Sequence, residues 1–150
     1  MTTRIKSEDI IHLLTGRTPL SLSRIFGIRL READIAVTKE QWSVLAVLWK
    51  KDGVTQQYLA DATFRDRAGI TRLLDNLQKE GLIERRPDKD DRRTNCIYLT
   101  QKGKAIEKNV VEVLDEVVNA ITVNVPDEDI ERLRDIFEQI NHNIQKLEIR

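Results

Sequence analysis

A short strand, a charged turn and a returning strand occupy residues 81–103, directly after a segment with helical periodicity. The first strand lies in Gly81-Leu82-Ile83-Glu84-Arg85, the turn contains Asp91-Arg92-Arg93, and the second strand lies in Ile97-Tyr98-Leu99-Thr100. A helix followed by a charged β-hairpin is the layout of a winged helix-turn-helix. This stretch therefore predicts a protein that binds duplex DNA.

The composition is that of one soluble globular domain. The chain has 150 residues, of which 40% are hydrophobic and 33% are charged, as is ordinary for a single domain. No apolar run is long enough for a signal peptide or for the roughly 20 residues of a membrane span. We therefore expect a cytoplasmic protein without a membrane partner.

Few residues could support catalysis or bind a metal. Cys96 is the single cysteine, and His12 and His142 are the two histidines, so neither an internal disulfide nor a zinc-site spacing occurs. The sequence also suggests no pairing of a nucleophile with a base and no glycine-rich phosphate loop. We expect no metal, no cofactor and no catalytic residue, and an enzyme is the poor hypothesis.

The charges are unevenly distributed along the chain. The net charge is zero, yet residues 64–104 contain eleven Lys or Arg against seven Asp or Glu, an excess of four positive charges. A local basic excess is the electrostatic signature of a surface that binds phosphate, although such runs also occur on ordinary solvated faces.

Helices dominate the N-terminal part of the sequence. Apolar periodicity predicts helices over residues 7–15 and 20–32, with a break near residues 16–19. Thr18 is suited to cap the second helix and Pro19 to occupy its first position.

Three further helices have recognisable N-caps. Thr38-Lys39-Glu40-Gln41 is a capping box that predicts a helix over residues 39–50. Thr55 is placed to cap a short helix over residues 56–62, and Asp66 is placed to cap the next one. The helix after Asp66 carries one apolar stripe at helical spacing, formed by Ile70, Leu73, Leu74 and Leu77.

The other side of that last helix is polar or small, which makes it the candidate recognition helix. An arginine can bind the guanine edge or a phosphate, and Thr71 can donate to a base acceptor or touch a thymine methyl group. Small residues allow the helix to approach the base edges closely. The expected contacts from this region are Arg65, Arg67, Ala68, Gly69, Thr71 and Arg72.

The preceding helix and the hairpin tip supply further expected contacts. The start of the preceding helix could hold a phosphate through backbone amides and polar side chains. The tip is too polar to be buried, so its basic side chains can reach the minor groove. We expect Asp91 to orient Arg93 through a salt bridge, with an ordinary surface ion pair as the alternative. The phosphate contacts are predicted at Thr55, Gln56 and Gln57, and the minor-groove contacts at Lys89, Arg92 and Arg93.

These motifs, in this order and spacing, resemble the MarR family of transcriptional regulators over about residues 38–106. Asp91 and Arg93 match the Asp-x-Arg signature that the family carries in its wing. Residues 64–67 depart from the resemblance, which leads one to expect smaller and more apolar residues there. The matching pieces are Thr38-Lys39-Glu40-Gln41-Trp42-Ser43-Val44-Leu45, Leu59-Ala60, Ile70-Thr71-Arg72-Leu73-Leu74-Asp75-Asn76-Leu77, Gly81-Leu82-Ile83-Glu84-Arg85, Asp91-Arg92-Arg93 and Leu99-Thr100-Gln101-Lys102-Gly103.

The resemblance implies a mainly α-helical fold with a small β-hairpin wing and an obligate homodimer that binds a pseudo-palindromic double-stranded DNA operator. Residues 1–37 and 101–150 would form the helical dimerisation region around a winged helix-turn-helix at residues 38–100. Two late apolar helices support such an interface, although packing within one subunit could absorb part of their surface. The apolar residues are Ile106, Val110, Val113, Leu114, Val117, Val118 and Ile121 in the first of them and Ile130, Leu133, Ile136, Phe137, Ile140, Ile144 and Leu147 in the second.

The resemblance also implies a repressor that a small phenolic or aromatic effector releases from DNA. Residues that combine aromatic surface with hydrogen-bond donors are candidates for the effector pocket. The tryptophans have a core position as their alternative, and His12 has a surface or interface position. The candidate pocket residues are His12, Arg17, Arg24, Trp42 and Trp49.

Two other functions remain open. The winged helix could bind a protein partner instead of DNA, although its basic face disfavours this. A thiol-based redox sensor is the other alternative. Cys96 is predicted to lie on a strand beside Arg93, and a positive charge there could lower the pKa of its thiol. A small strand residue without redox function is the simpler interpretation of Cys96.

Overall fold

The computed structural model describes residues 5–149 of the chain. The fold is mainly helical with one small sheet, as the sequence predicts. Among the described residues, no helix combines the length and the apolar character needed to cross a membrane. In chain order the elements are α1 (Ser7–Thr15), α2 (Arg17–Glu32), α3 (Lys39–Lys50), β1 (Val54–Thr55), α4 (Gln56–Ala62), α5 (Arg67–Lys79), β2 (Ile83–Pro87), β3 (Asn95–Leu99), α6 (Gln101–Ala105), α7 (Glu107–Ile121) and α8 (Asp127–Glu148).

The wing is a three-stranded antiparallel sheet with the order β1-β3-β2. In the predicted hairpin of β2 and β3, Ile83 pairs with Leu99. The third strand, β1, was not predicted: Val54 and Thr55 pair with Ile97 and Cys96. A strand of two residues is too short to show any periodicity in sequence, so only the pairing with β3 reveals it.

The N-caps predicted at Thr38, Thr55 and Asp66 are present, and they position the helices around the wing. The Thr38 hydroxyl accepts from the Gln41 N–H at 3.1 Å, and the Gln41 side-chain oxygen accepts from the Thr38 N–H at 2.9 Å. Thr55 caps α4, and Asp66 caps α5 by accepting from the Gly69 N–H at 2.7 Å. These bonds fix where each helix begins because they satisfy amides that have no partner within the helix.

The predicted apolar stripe of α5 packs into the main core. This core joins α3, α4, α5 and the sheet, and it orients α5 with its polar face outward. Leu73 is partly buried at its edge. The side chains that are fully buried in it include Leu45, Leu48, Leu59, Ile70, Leu74, Leu77 and Ile97.

The break between the first two helices differs from the predicted one. Gly16 alone separates α1 from α2, and α2 begins at Arg17. Thr18 therefore lies within α2 and is not its N-cap, and Pro19 occupies the third helical position. Proline is accepted there because amides of the first helical turn have no carbonyl partner within the helix.

The chain divides into two compact units. The first runs to Asp115 and contains the main core and a smaller cluster in which Phe26 and Leu30 pack with Val110 and Val113. The second unit begins at Glu116 and contains α8. Exposed apolar side chains of α8 include Leu133, Ile136 and Phe137 among others.

Candidate nucleic-acid interface

The N-terminal half of α5 presents the predicted contact residues on its outward face. Arg67, Ala68 and Arg72 are exposed, whereas Ile70 and Leu74 are fully buried on the opposite side. The N-cap at Asp66 holds this first turn in place. The face is therefore rigid and accessible, which a helix needs in order to enter a DNA groove.

A hydrogen-bond network joins α4 to α5 and uses the hydroxyl of Thr71. Gln56 Nε2 donates to Thr71 Oγ1 at 2.6 Å, and Thr71 Oγ1 donates to the Arg67 carbonyl oxygen at 2.7 Å. In this structure the one hydroxyl hydrogen of Thr71 is used within α5, so the predicted donation to a base acceptor requires that bond to be broken first. The methyl group of Thr71 remains the part suited to a thymine contact.

A cleft of about 620 Å³ brings together contact residues that are far apart in sequence. The start of α4, the start of α5 and the wing all line it, so one surface combines elements that sequence analysis treated separately. The residues Thr94 and Asn95 also line this cleft and were not predicted; their only sequence signal is that they follow Arg93 directly. The predicted residues that the cleft unites are Thr55, Gln56, Gln57, Arg67 and Arg93.

The basic residues of this region differ in whether an acidic partner neutralises them. Arg85 pairs with Asp75 at 2.7 Å, and Arg86 pairs with Glu84. Arg67 and Arg93, in contrast, form no ion pair with any residue in the described part of the chain. Their full charge therefore faces the cleft, where it can attract a phosphate.

The predicted role of Asp91 is corrected at the atomic level. Asp91 Oδ1 accepts from the backbone N–H of Arg93 at 3.0 Å, and its Oδ2 accepts from the Thr94 hydroxyl at 3.2 Å. No ion pair with the Arg93 guanidinium is present among the described residues. Asp91 thus shapes the wing backbone as an Asx turn, because a short carboxylate reaches its own neighbouring amides more easily than a distant guanidinium.

The other predicted tip and turn residues have simple surroundings. Lys89 and Arg92 are exposed at the tip of the wing. Arg65 is half-buried, and its Nη1 donates to the Thr63 carbonyl oxygen at 3.1 Å. The guanidinium of Arg65 therefore already donates one hydrogen bond within the protein, and fewer of its N–H groups remain available to DNA.

The predicted effector residues do not form one pocket. Trp42 packs edge to face on Phe26 with ring centroids 5.4 Å apart, and Trp49 Nε1 donates to the Gly103 carbonyl oxygen at 3.0 Å. Both tryptophans lie against the two apolar cores, which is the alternative that the sequence left open. His12 and Arg17 are exposed. Arg24 lines a separate cleft of about 400 Å³ formed by α2, the connection to α3 and the start of α3.

Cys96 lies in an environment that suppresses its reactivity. Its side chain is 8% exposed on β3, and Sγ lies 3.7 Å from Asp88 Oδ2. Burial raises the pKa of the thiol, and the negative charge of Asp88 and its hydrogen bond raise the pKa further. The lowered pKa considered for a redox sensor is therefore wrong: Asp88, and not Arg93, is the charged neighbour of the thiol.

The Cys96 thiol is expected to react slowly in the folded protein. A raised pKa leaves a smaller fraction of thiolate at any given pH, and the thiolate is the nucleophile. At pH 8 we expect alkylation by iodoacetamide, followed by mass spectrometry, to be at least about tenfold slower in the native protein than in urea. Equal rates in the two states would contradict the buried, protonated thiol.

Comparison with known proteins finds similarity to one family of transcriptional regulators. The MarR family model matches residues 36–94, which include α3, the helix-turn-helix and the wing up to the start of β3. The transcriptional regulator YdgJ of Bacillus subtilis, itself uncharacterised, is 24% identical over 95% of this chain and 84% of its own length. The regulator TtmR of Methylorubrum extorquens is 33% identical over 61% of this chain, but the match spans only 47% of TtmR.

Solved structures share the fold of this chain along nearly its whole length. A MarR transcriptional regulator from Methanosarcina mazei has a TM-score of 0.80 at 21% identity and covers 95% of this chain and 94% of its own. CouR of Rhodococcus jostii, solved with p-coumaroyl-CoA bound, has a TM-score of 0.78 at 25% identity over 92% of this chain and 95% of its own. The matched segment and the shared fold show that residues 36–94 of this chain are a helix-turn-helix region of the MarR family of transcriptional regulators.

Proposed function

We propose that this protein is a homodimeric repressor that binds a pseudo-palindromic operator and is released by a small aromatic effector. The cleft between α4, α5 and the wing is the observation that carries the DNA part of the proposal. With α5 in the major groove, the start of α4 meets a phosphate through its amides, and the wing reaches the adjacent minor groove.

The contacts divide into those that position the protein and those that read the sequence. Thr55, Gln56 and Gln57 hold a phosphate, as do the unpaired guanidinium groups of Arg67 and Arg93. Arg72, further along the exposed face of α5, reads a guanine edge, and the Thr71 methyl group reads a thymine. The remaining proposed contacts lie close in sequence to these groups. They are Arg65, Ala68 and Gly69 near the major groove, and Lys89 and Arg92 near the minor groove.

The dimer is proposed because apolar side chains remain exposed on several helices of the single chain, α1 and α8 among them. In α1, Ile11 is 58% exposed and Leu13 is 69% exposed, and in α8 Leu133 is 49% exposed and Leu147 is 70% exposed. Large apolar surfaces of this kind are uncommon on a monomer and favour a partner. A two-fold dimer would read half-sites separated by about one helical turn, or ~10 bp.

The effector site is proposed in the cleft that Arg24 lines. Its volume of about 400 Å³ suits a small molecule, and its lining combines apolar side chains with three basic residues and one acidic residue. These are Ile35, Val37, Arg24, Arg31, Lys39 and Glu40. Apolar walls with several cations suit an aromatic carboxylate. The bound p-coumaroyl-CoA of the similar protein CouR supports an aromatic acyl compound as the first ligand to examine.

Selection from random duplexes tests the DNA part of the proposal directly. The purified protein is incubated with the library at moderate salt, and the retained duplexes are sequenced. A palindrome with half-sites one turn apart is expected. Recovery of no motif, together with an affinity that changes little with salt, would instead favour a protein-interaction module.

The effector part is tested on the selected operator. p-Coumarate and p-coumaroyl-CoA are titrated into the complex, and release is followed by fluorescence anisotropy. Wild type should release DNA, and an Arg24→Ala, Arg31→Ala variant should require a markedly higher concentration of ligand. Arg29→Ala, which removes a charge from the same helix outside the cleft, is the matched control. If wild type and the double variant released DNA at the same ligand concentration, the effector would bind outside this cleft.

A further inference from the structure

Phe64, in the turn between α4 and α5, combines backbone strain with almost complete exposure. Its φ angle is +53°, in the left-handed region, and 81% of its surface is exposed. A bulky residue in that region is strained because Cβ crowds the backbone. An exposed phenyl ring also buries little apolar surface, so it does not offset the strain. Phenylalanine at this position therefore does not stabilise the isolated folded chain.

The hydrogen bonds at the end of α4 require this left-handed conformation. The Phe64 N–H donates to the Asp61 carbonyl oxygen at 3.3 Å, and the Arg65 N–H donates to the Ala60 carbonyl oxygen at 2.9 Å. This pair of bonds is a Schellman motif, whose left-handed position is usually glycine. The helix-turn-helix therefore demands the conformation, and phenylalanine is a costly residue to place in it.

The same motif ends two other helices, where smaller residues occupy the equivalent position. At the end of α5 it is Gly81, with φ +74°, and at the end of α2 it is Asp34, with φ +56°. Glycine has no Cβ to crowd the backbone, and aspartate tolerates the left-handed region better than most residues. Of these three motifs, only the one in the helix-turn-helix carries a large apolar side chain.

We propose that Phe64 is a DNA-contact residue whose ring packs on the apolar surface of the duplex, formed by deoxyribose and thymine methyl groups. This inference rests on the proposed function of α5 as the helix that enters the major groove. Phe64 lies two residues before the N-cap of α5, between Thr63 and Arg65 and close to Arg67. A phenyl ring beside arginines suits a ligand that offers both phosphates and apolar edges. Duplex DNA has both.

Phe64→Gly separates a binding role from a structural one. Removal of the strained side chain should raise Tm by about 2–4 °C, because glycine adopts φ +53° freely. Operator affinity should nevertheless fall about fivefold to tenfold through the loss of apolar contact. The slope of log affinity against log salt should stay unchanged, because no charge has been removed. Thermal unfolding and anisotropy titrations at several salt concentrations give all three quantities.

Two variants control for the flexibility of glycine and for the relief of strain. Phe64→Asn also tolerates the left-handed region but has no ring, and it should lose affinity as Phe64→Gly does. Asp34→Gly relaxes the same motif at the end of α2, outside the proposed interface, and should leave operator affinity unchanged. If both Phe64 variants bound the operator with wild-type affinity, the proposal would be wrong. It would also be wrong if affinity fell together with the slope of log affinity against log salt. Failure of the wild type to bind any selected duplex would instead refute the proposed function itself.

Discussion

The Arg67→Ala, Arg93→Ala double variant is expected to bind the selected operator about a hundredfold more weakly than wild type, since a hydrogen bond to a charged group contributes about 1.5–3 kcal/mol. Both side chains line the cleft of the candidate interface and lack an acidic partner among the described residues. Their guanidinium groups are therefore available to phosphate without first breaking an ion pair. Anisotropy titrations across a range of salt concentrations measure the effect.

The salt dependence of that variant identifies the chemistry that has been lost. Each phosphate contact contributes about 0.9 to the slope of log affinity against log salt, so two lost contacts should lower the slope by about 1.8. Arg29→Ala is the matched control, because Arg29 pairs with Glu32 on the surface of α2. A double variant with the wild-type slope would show that these arginines do not contact phosphate.

Gly103→Ala is expected to give the largest loss of stability, about 1–3 kcal/mol, since overpacking of a closed site typically costs this much. A Cβ built on Gly103 would lie 2.1 Å from the Leu82 carbonyl oxygen and 3.2 Å from Leu99 Cδ2. The first neighbour is backbone and cannot rotate away. Relief would require α6 to move from the start of β2, which would disturb the bond from Thr100 N–H to the Leu82 carbonyl oxygen.

Thermal and urea unfolding measure this effect, and another helical glycine supplies the control. A Cβ on Gly27, within α2, would meet only Arg31 Nη1 at 3.5 Å, which is an ordinary contact with a flexible side chain. Gly27→Ala should therefore be neutral or stabilise the protein by up to about 1 kcal/mol, as alanine does in a helix interior. If Gly103→Ala unfolded at the wild-type urea concentration, the close approach of α6 to β2 would be absent.

The sequence by itself determined the features that depend on local chemistry. Capping oxygens at Thr38, Thr55 and Asp66 satisfy amides a few residues away, so the helix starts could be predicted. The same holds for the apolar stripe of α5 and for the paired strands of the wing, because periodicity records which face is buried. The family resemblance rests on these local patterns too, which is why it identified the fold.

Tertiary structure alone decided the features that depend on residues far apart in the chain. β1 exists because β3 passes beside Val54. The reactivity of the Cys96 thiol is low because the chain brings Asp88 beside it. Spacing alone could not show that Gln56 donates a hydrogen bond to the hydroxyl of Thr71. Likewise, Trp42 and Trp49 pack against the apolar cores and do not line the predicted effector pocket. In each case the partner lies at least eight residues away, where sequence order no longer indicates distance.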